Sequence, residues 1–307
     1  MTQAELIQDI ADATGMTKTD VKKVFDSYKE IGYAHMKKLK TDADFALPGF
    51  GNILYVMYRE RFSECLALIL FFGSLWLPMG QIDFLVEHWM KLGFYLIPFL
   101  FLIAWKDSSH KPRFRSLYFW TGMLLISYIF HQIEEHWIDI YGNRYAFSAS
   151  MNELLKGITD SSDNLLSHEG IFVINTTLVW LVGGGALVAM HYSVFPALCM
   201  AAIVLINAIA HIGLAVASWE YNPGTLTSIM LFLPVSLLFY KNYFLQKGEK
   251  LFLLYLSLGW SILCHVVMVV GTIAVHHWGV ISESLYFLAL FLLSIVPLLA
   301  SSPAVKS

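Results

Sequence analysis

From Phe62 to about residue 300, long apolar runs alternate with short polar breaks. Most of these runs approach the roughly 20 residues a helix needs to cross a bilayer, and eight spans are predicted. Their approximate limits are 62–79, 84–105, 116–137, 168–190, 193–218, 224–241, 250–275 and 281–300. The one long polar connection, 138–167, scatters Ser, Asn, Asp and Gly without an apolar period and is expected to be mostly irregular. The residues before Phe62 follow another pattern. Leu6, Ile7 and Ile10 recur at helical spacing, Gly15 ends that helix, and Thr17 with Asp20 has the form of a capping box opening a second helix through about Leu39. Residues 45–54 read as strand, glycine turn, strand. The expected fold is therefore an all-α polytopic membrane protein of about eight transmembrane helices (62–303), preceded by a small helix-turn-helix plus β-hairpin segment (1–61).

Composition sharpens this reading. The chain is 57% hydrophobic and 14% charged with a mean hydropathy of +0.60, whereas soluble domains carry roughly 25% charged residues. A net charge of -3 gives no overall electrostatic case for nucleic acid. Cys65, Cys199 and Cys264 all sit inside apolar runs, which indicates neither a disulfide framework nor a zinc knuckle. The polar N-terminal stretch carries no cleavable signal pattern. Lys106, Lys111, Arg113 and Arg115 fall in one short loop and Lys241, Lys247 and Lys250 in another. With eight spans, the positive-inside rule places both loops and both termini in the cytoplasm. The opposite face then carries 138–167, the turn 219–224 and His276-His277.

His131-Gln132-Ile133-Glu134-Glu135-His136 puts four ionisable side chains at the end of an apolar run. Charge at membrane depth is costly and marks a functional site by default. His168 and Glu169 open the next span at the same face, and Asn207 and His211 lie in the outer half of the fifth. At about 1.5 Å per residue, His131 and His211 both lie about 10 Å below the outer ends of their helices. His131 with Glu134 and Glu135 forms an i, i+3, i+4 set, and Asn207 with His211 an i, i+4 pair. Facing helices of a bundle build metal sites from such sets. The metal ligands expected are His131, Glu135, His168 and His211, with Glu134, Glu135 and Asn207 as catalytic groups and zinc or iron as the divalent ion. His136, about 100° around the helix from Glu135, is expected to face outward or stand behind the ligands. The order of letters is neither that of a zincin nor its inverse, so no protease mechanism follows. His265 is a further, deeper candidate.

Three motifs in order, His131-x-x-Glu134-Glu135, Asn207-x-x-x-His211 and Tyr221-Asn222-Pro223-Gly224, resemble the HXXEE family of bacterial integral membrane proteins over about 62–240. The resemblance implies a bacterial inner-membrane location and supports these residues, without naming a reaction. Tyr221-Asn222-Pro223-Gly224 also reads independently as a tight turn. The helix-turn-helix and Leu47-Pro48-Gly49-Phe50-Gly51 hairpin resemble the N-terminal half of the histone-like HU family of bacterial DNA-binding proteins. In that family a basic β-arm follows. Here the pattern stops at Tyr58-Arg59-Glu60-Arg61, and residues 1–61 hold nine Lys/Arg against nine Asp/Glu, which argues against phosphate contacts.

The expectation for function is a membrane-embedded, metal-dependent hydrolase or oxidoreductase, acting on a lipid or other amphiphile at the extracytoplasmic face. The rival readings are an ion or small-molecule transporter using the same cluster, and a membrane-tethered HU-like DNA-binding or dimerisation module. Membrane lipid is the expected partner.

Overall fold

The computed structural model describes residues 3–27, 83–107, 113–190, 193–245 and 251–300. The chain divides into two compact units, Met1–Ser63 and Glu64–Ser307. In the first, α1 (Gln3–Thr14) is followed by α2, helical over 18–27. The capping box forms as expected. Thr17 Oγ1 donates to Asp20 Oδ2 at 2.7 Å, and the Asp20 amide donates back to Thr17 Oγ1 at 3.2 Å. Ala11 and Val21 are the buried apolar side chains described in this unit. The expected hairpin at 45–54 and the first expected span at 62–79 lie outside the described residues.

Every regular element described in the second unit is a helix. The unit contains α3 (Asp83–Asp107), α4 (Leu117–His136), α5 (Ala146–Thr159), α6 (His168–Ala189), α7 (Phe195–Ser218), α8 (Thr225–Phe244), α9 (Leu251–His276) and α10 (Glu283–Leu299). Five helices, within α3 and across α6, α7, α8 and α9, are long and apolar enough to cross a membrane. Of the other spans expected from the sequence, 116–137 forms the 20-residue α4, which ends on the ionisable motif, and 281–300 forms the shorter, 17-residue α10. The chain is thus a helical protein with at least five membrane-competent helices.

Helix α4 organises this unit, touching α3, α5, α6, α7 and α8. Its polar C-terminal turns are as buried as its apolar N-terminal ones, with His131, Gln132, Glu134, Glu135 and His136 all enclosed. Such burial requires partners for every polar atom. Close helix contacts come from small residues. A Cβ on Gly183 would stand 2.8 Å from Leu125, and one on Gly185 2.5 Å from Leu298, so the glycines of α6 let neighbouring side chains reach its backbone.

Two helices are locally widened. α6 is a π-helix over Asn175–Leu181, and α8 over Ser228–Phe232. In α6 the side chains of Asn175, Thr176 and Thr177 bond to the carbonyls of Ile171, Phe172 and Val173 at 2.8–2.9 Å. These side chains supply donors where the regular ladder is interrupted.

The connection 138–167 is irregular over 138–145 and 160–167, as expected, but an unexpected helix lies between them. This helix is α5, on which Phe147, Met151, Leu154, Leu155 and Ile158 recur at helical spacing. Ser148, Ser150 and Asn152 interrupt this apolar period, and Asn152 is itself buried beside Leu155. Asn152 closes the following loop, its Oδ1 accepting from the Leu165 and Leu166 amides at 2.9 and 2.8 Å.

Candidate metal centre

The site is assembled from the last turns of α4, the C-terminal half of α7, and the turn that joins α7 to α8. His131, Glu135 and His211 are all buried, and a possible ligand atom from each lies within 4.8 Å of the others. Glu135 Oε1 is 3.4 Å from His131 Nε2 and 3.1 Å from His211 Nε2. The other oxygen of Glu135 is 3.3 Å from His136 Nε2.

The surrounding hydrogen bonds fix which imidazole nitrogen is bare. His211 Nδ1 is 2.8 Å from Asn222 Oδ1, while Asn222 Nδ2 donates to the carbonyl of His211 at 3.0 Å. The Asn222 oxygen only accepts, so His211 carries its proton on Nδ1. His131 Nδ1 is 2.8 Å from Thr227 Oγ1, and that hydroxyl donates to Glu134 Oε2 at 2.5 Å. With its one proton turned to Glu134, Thr227 accepts from His131 Nδ1–H. In the neutral form of each ring the Nε2 lone pair therefore faces Glu135 Oε1, and that of His131 also faces Asn207 Nδ2. Three acceptors this close require a positive charge among them, either a proton on one imidazole or a metal ion.

Glu134 is engaged elsewhere. Its two oxygens accept from the Tyr221 hydroxyl (2.8 Å), the Leu226 amide (3.1 Å), the Thr227 amide (2.8 Å) and the Thr227 hydroxyl. Burial, and then the Glu134 carboxylate it donates to, pushes the Tyr221 phenol above its ordinary value and keeps it a donor. These four donors come from the turn and the start of α8, and Glu134 thereby ties the end of α4 to that segment.

Gly224 makes this close approach possible. At φ +95° it adopts a backbone conformation that favours glycine, and a Cβ there would stand 2.6 Å from His131 Cε1 and 2.8 Å from His211 Cε1. The turn thus lies directly beneath both imidazoles.

Asn207 Nδ2 donates to the Tyr128 hydroxyl at 2.9 Å and is 3.3 Å from His131 Nε2. His136 does not face outward. It is buried behind Glu135, with Asn175 Nδ2 3.4 Å from its Nε2. Asn175 in turn accepts from Gln132 (2.9 Å), and Gln132 accepts from the Trp180 indole (2.9 Å). His168 and Glu169 are exposed. The His168 ring sits beside Tyr145 with centroids 5.5 Å apart, and His168 is outside the group of His131, Glu135 and His211. Sequence reasoning gave no role to Thr227, Gln132 and Asn175, and it singled out Tyr221 and Asn222 as part of a family motif without a role at the centre. Their signal was polar side chains inside or beside apolar helices, with Tyr221 and Asn222 legible as turn and motif residues.

A cavity of about 370 Å³ opens from the centre. Glu135, His136, Asn207 and His211 form its polar end, and its remaining walls are mostly apolar, including Met151, Leu155, Leu214 and Met268.

His131, Glu135 and His211 leave room for a small divalent ion between their three ligand atoms, and the donor set of two imidazoles and one carboxylate suits zinc or iron. No curated protein and no solved structure gives a match to the chain. Two family comparisons do match, and each falls on one part of the sequence. Residues 122–239 match the family described as a protein of unknown function with HXXEE motif, and residues 1–64 match the bacterial DNA-binding protein family.

Proposed function

We propose that the chain is a membrane-embedded, metal-dependent enzyme acting on a lipid or other amphiphile, with His131, Glu135 and His211 holding one divalent ion. The observation that carries this reading is the convergence of the two Nε2 atoms on one carboxylate oxygen at 3.1 and 3.4 Å. In a tetrahedral zinc site with bonds of about 2.0–2.1 Å, neighbouring ligand atoms lie about 3.3 Å apart. Three protein ligands leave one position for water or substrate, and a zinc ion in such a site lowers the pKa of its bound water to about 7.

The protein's own groups divide the work. Asn222 and the Thr227–Glu134 pair hold the two imidazoles in the tautomer that presents Nε2. Asn207, on the cavity side, is placed to donate to an oxygen carried by the bound molecule. Glu134, with both oxygens occupied and no share in the cavity wall, orients His131 through Thr227. The apolar cavity favours an amphiphile over a sugar or nucleotide. The distribution of Lys and Arg among the loops supports an orientation with this end of the bundle at the extracytoplasmic face and both termini cytoplasmic, and the resemblance to a bacterial membrane family supports the inner membrane.

The test is a comparison of lipid extracts incubated with the reconstituted full chain, metal-loaded or metal-stripped. We expect a mass-resolved product that needs both metal and His131. Identical extracts from loaded wild type, stripped wild type and His131→Ala would overturn the reading.

The match of residues 1–64 supports a separate role for that segment as a tethered dimerisation module. Its balanced charge argues against phosphate contacts. Tight, steeply salt-dependent DNA binding by the full chain would replace dimerisation with nucleic-acid binding.

A further inference from the structure

The cavity constrains what the centre acts on. Its volume of about 370 Å³ lies at the low end of the roughly 300–1,000 Å³ typical of small-molecule sites. That is room for one apolar chain and a compact head, not for a two-chain phospholipid. Its mouth is edged by Leu154 of α5, Ala210 of α7 and Val269 of α9, all exposed. Since α7 and α9 are both apolar enough to span a membrane, this rim faces acyl chains, and a molecule reaches the centre sideways from the bilayer.

Charge and hydrogen bonding define the head. None of the described residues lining the cavity is Lys or Arg. The two positive charges of a divalent ion are already matched by the carboxylates of Glu134 and Glu135. A phosphate or carboxylate head would therefore bring negative charge into a low-dielectric site with nothing left to balance it. On the wall formed by α9, His265 Nδ1 is 2.8 Å from the Ser261 carbonyl, which only accepts, so that nitrogen carries the proton. Its Nε2 is then an acceptor without a partner among the described residues, on a side chain that lines the cavity.

We propose that the substrate is a neutral, single-chain amphiphile whose head carries a hydrogen-bond donor, taken laterally from the bilayer and fixed by His265 Nε2. This rests on the cavity ending at the metal centre proposed above. A primary fatty amide or alcohol has the required chemistry. The chain lies along Met151, Leu214 and Met268, and the head donor meets His265. The head oxygen is left to Asn207 and the ion.

The experiment is equilibrium binding of radiolabelled decanamide, N,N-dimethyldecanamide and decyl phosphate to the full chain in nanodiscs, with and without chelator. Decanamide should bind saturably, with decyl phosphate and the donor-free dimethyl amide each about tenfold weaker. His265→Ala should remove the preference for decanamide over its dimethyl derivative. The cavity-filling variants Met151→Trp and Leu214→Phe should each weaken decanamide about tenfold. Two fillers are used so that a folding defect in one leaves the other to decide. Decyl phosphate binding as tightly as decanamide, an unchanged preference in His265→Ala, or full binding in both fillers would overturn the proposal. Selective decanamide binding that survives chelation would uphold the substrate class even if no metal-dependent product is found. Loss of selectivity in a protein that retains its metal would overturn the substrate class alone.

Discussion

The carboxylate of Glu134 reaches the imidazole of His131 through a single hydroxyl. Thr227 donates to Glu134 Oε2 at 2.5 Å and stands 2.8 Å from His131 Nδ1, so one side chain both polarises the histidine and fixes its tautomer. Carboxylate partners of metal-binding histidines usually act directly. Here α4 turns Glu134 away from the centre and a residue at the start of α8 carries the connection.

Thr227→Val keeps the shape of the side chain and removes the relay. Metal affinity is expected to fall about 10–100-fold, the usual cost of losing an outer partner. Thr227→Ser should restore it. Competitive chelator titration of the purified variants measures both, and an unchanged affinity in Thr227→Val would show that the hydroxyl plays no part in presenting Nε2.

Gly224→Ala places a methyl group 2.6 Å from His131 Cε1 at a backbone φ of +95°. We expect loss of bound metal together with a stability loss of about 1–3 kcal/mol. Denaturation in detergent and metal analysis on the same sample check the two effects. Normal metal content in this variant would mean that the turn is free to withdraw from the imidazoles.

The neighbouring glutamates should respond oppositely to the same change. Glu134→Gln turns an amide NH₂ toward the Tyr221, Leu226 and Thr227 donors, leaving at least one buried group unsatisfied at a cost of about 1–3 kcal/mol. Glu135→Gln removes the negative ligand and should abolish metal binding, while relieving the crowding of acceptors in the metal-free protein. Thermal unfolding of both variants after chelation is the measurement. Equal destabilisation by the two substitutions would contradict the division of roles.

Outside the spans, Asp139 offers a pH-dependent reporter of the loop before α5. Its carboxylate accepts from the Tyr141 amide (2.9 Å), the Asn143 amide (2.8 Å) and the Asn143 side chain (3.1 Å). Desolvation raises its pKa, but the hydrogen bonds from Asn143 and its neighbours outweigh that and hold it below the ordinary aspartate value. For a depressed carboxyl, the stabilisation is complete above the unfolded pKa and is lost as pH falls through the folded one. The Asn143 amide should be protected from exchange, relative to its intrinsic rate, at neutral pH and should lose that protection in acid. In Asp139→Asn that pH dependence of the protection should disappear.

Much of the site could be read from the sequence because charge is so expensive inside apolar runs. His131 and Glu135 sit one turn apart on α4, and His211 lies at a similar depth on α7, so simple helical arithmetic brought them together. His168 shared that depth but not the direction, because direction depends on how α6 rotates against α4. The π-helical Asn175–Leu181 segment alters that rotation without leaving any periodic signature. The roles of Asn222 and Thr227 were hidden for a different reason. A turn is recognised by its Asn-Pro-Gly chemistry, whereas the fact that it folds back beneath two imidazoles is tertiary information. Helix α5 was overlooked because local polarity outweighed a real 3.6-residue period.

The central claim is that His131, Glu135 and His211 hold a metal ion, and elemental analysis of the purified full chain tests it most directly. The account predicts about one divalent ion per chain in wild type, lost in His131→Ala and His211→Ala and kept in His168→Ala. Wild type that binds no ion when supplied with zinc or iron, or the same content in all four proteins, would contradict it.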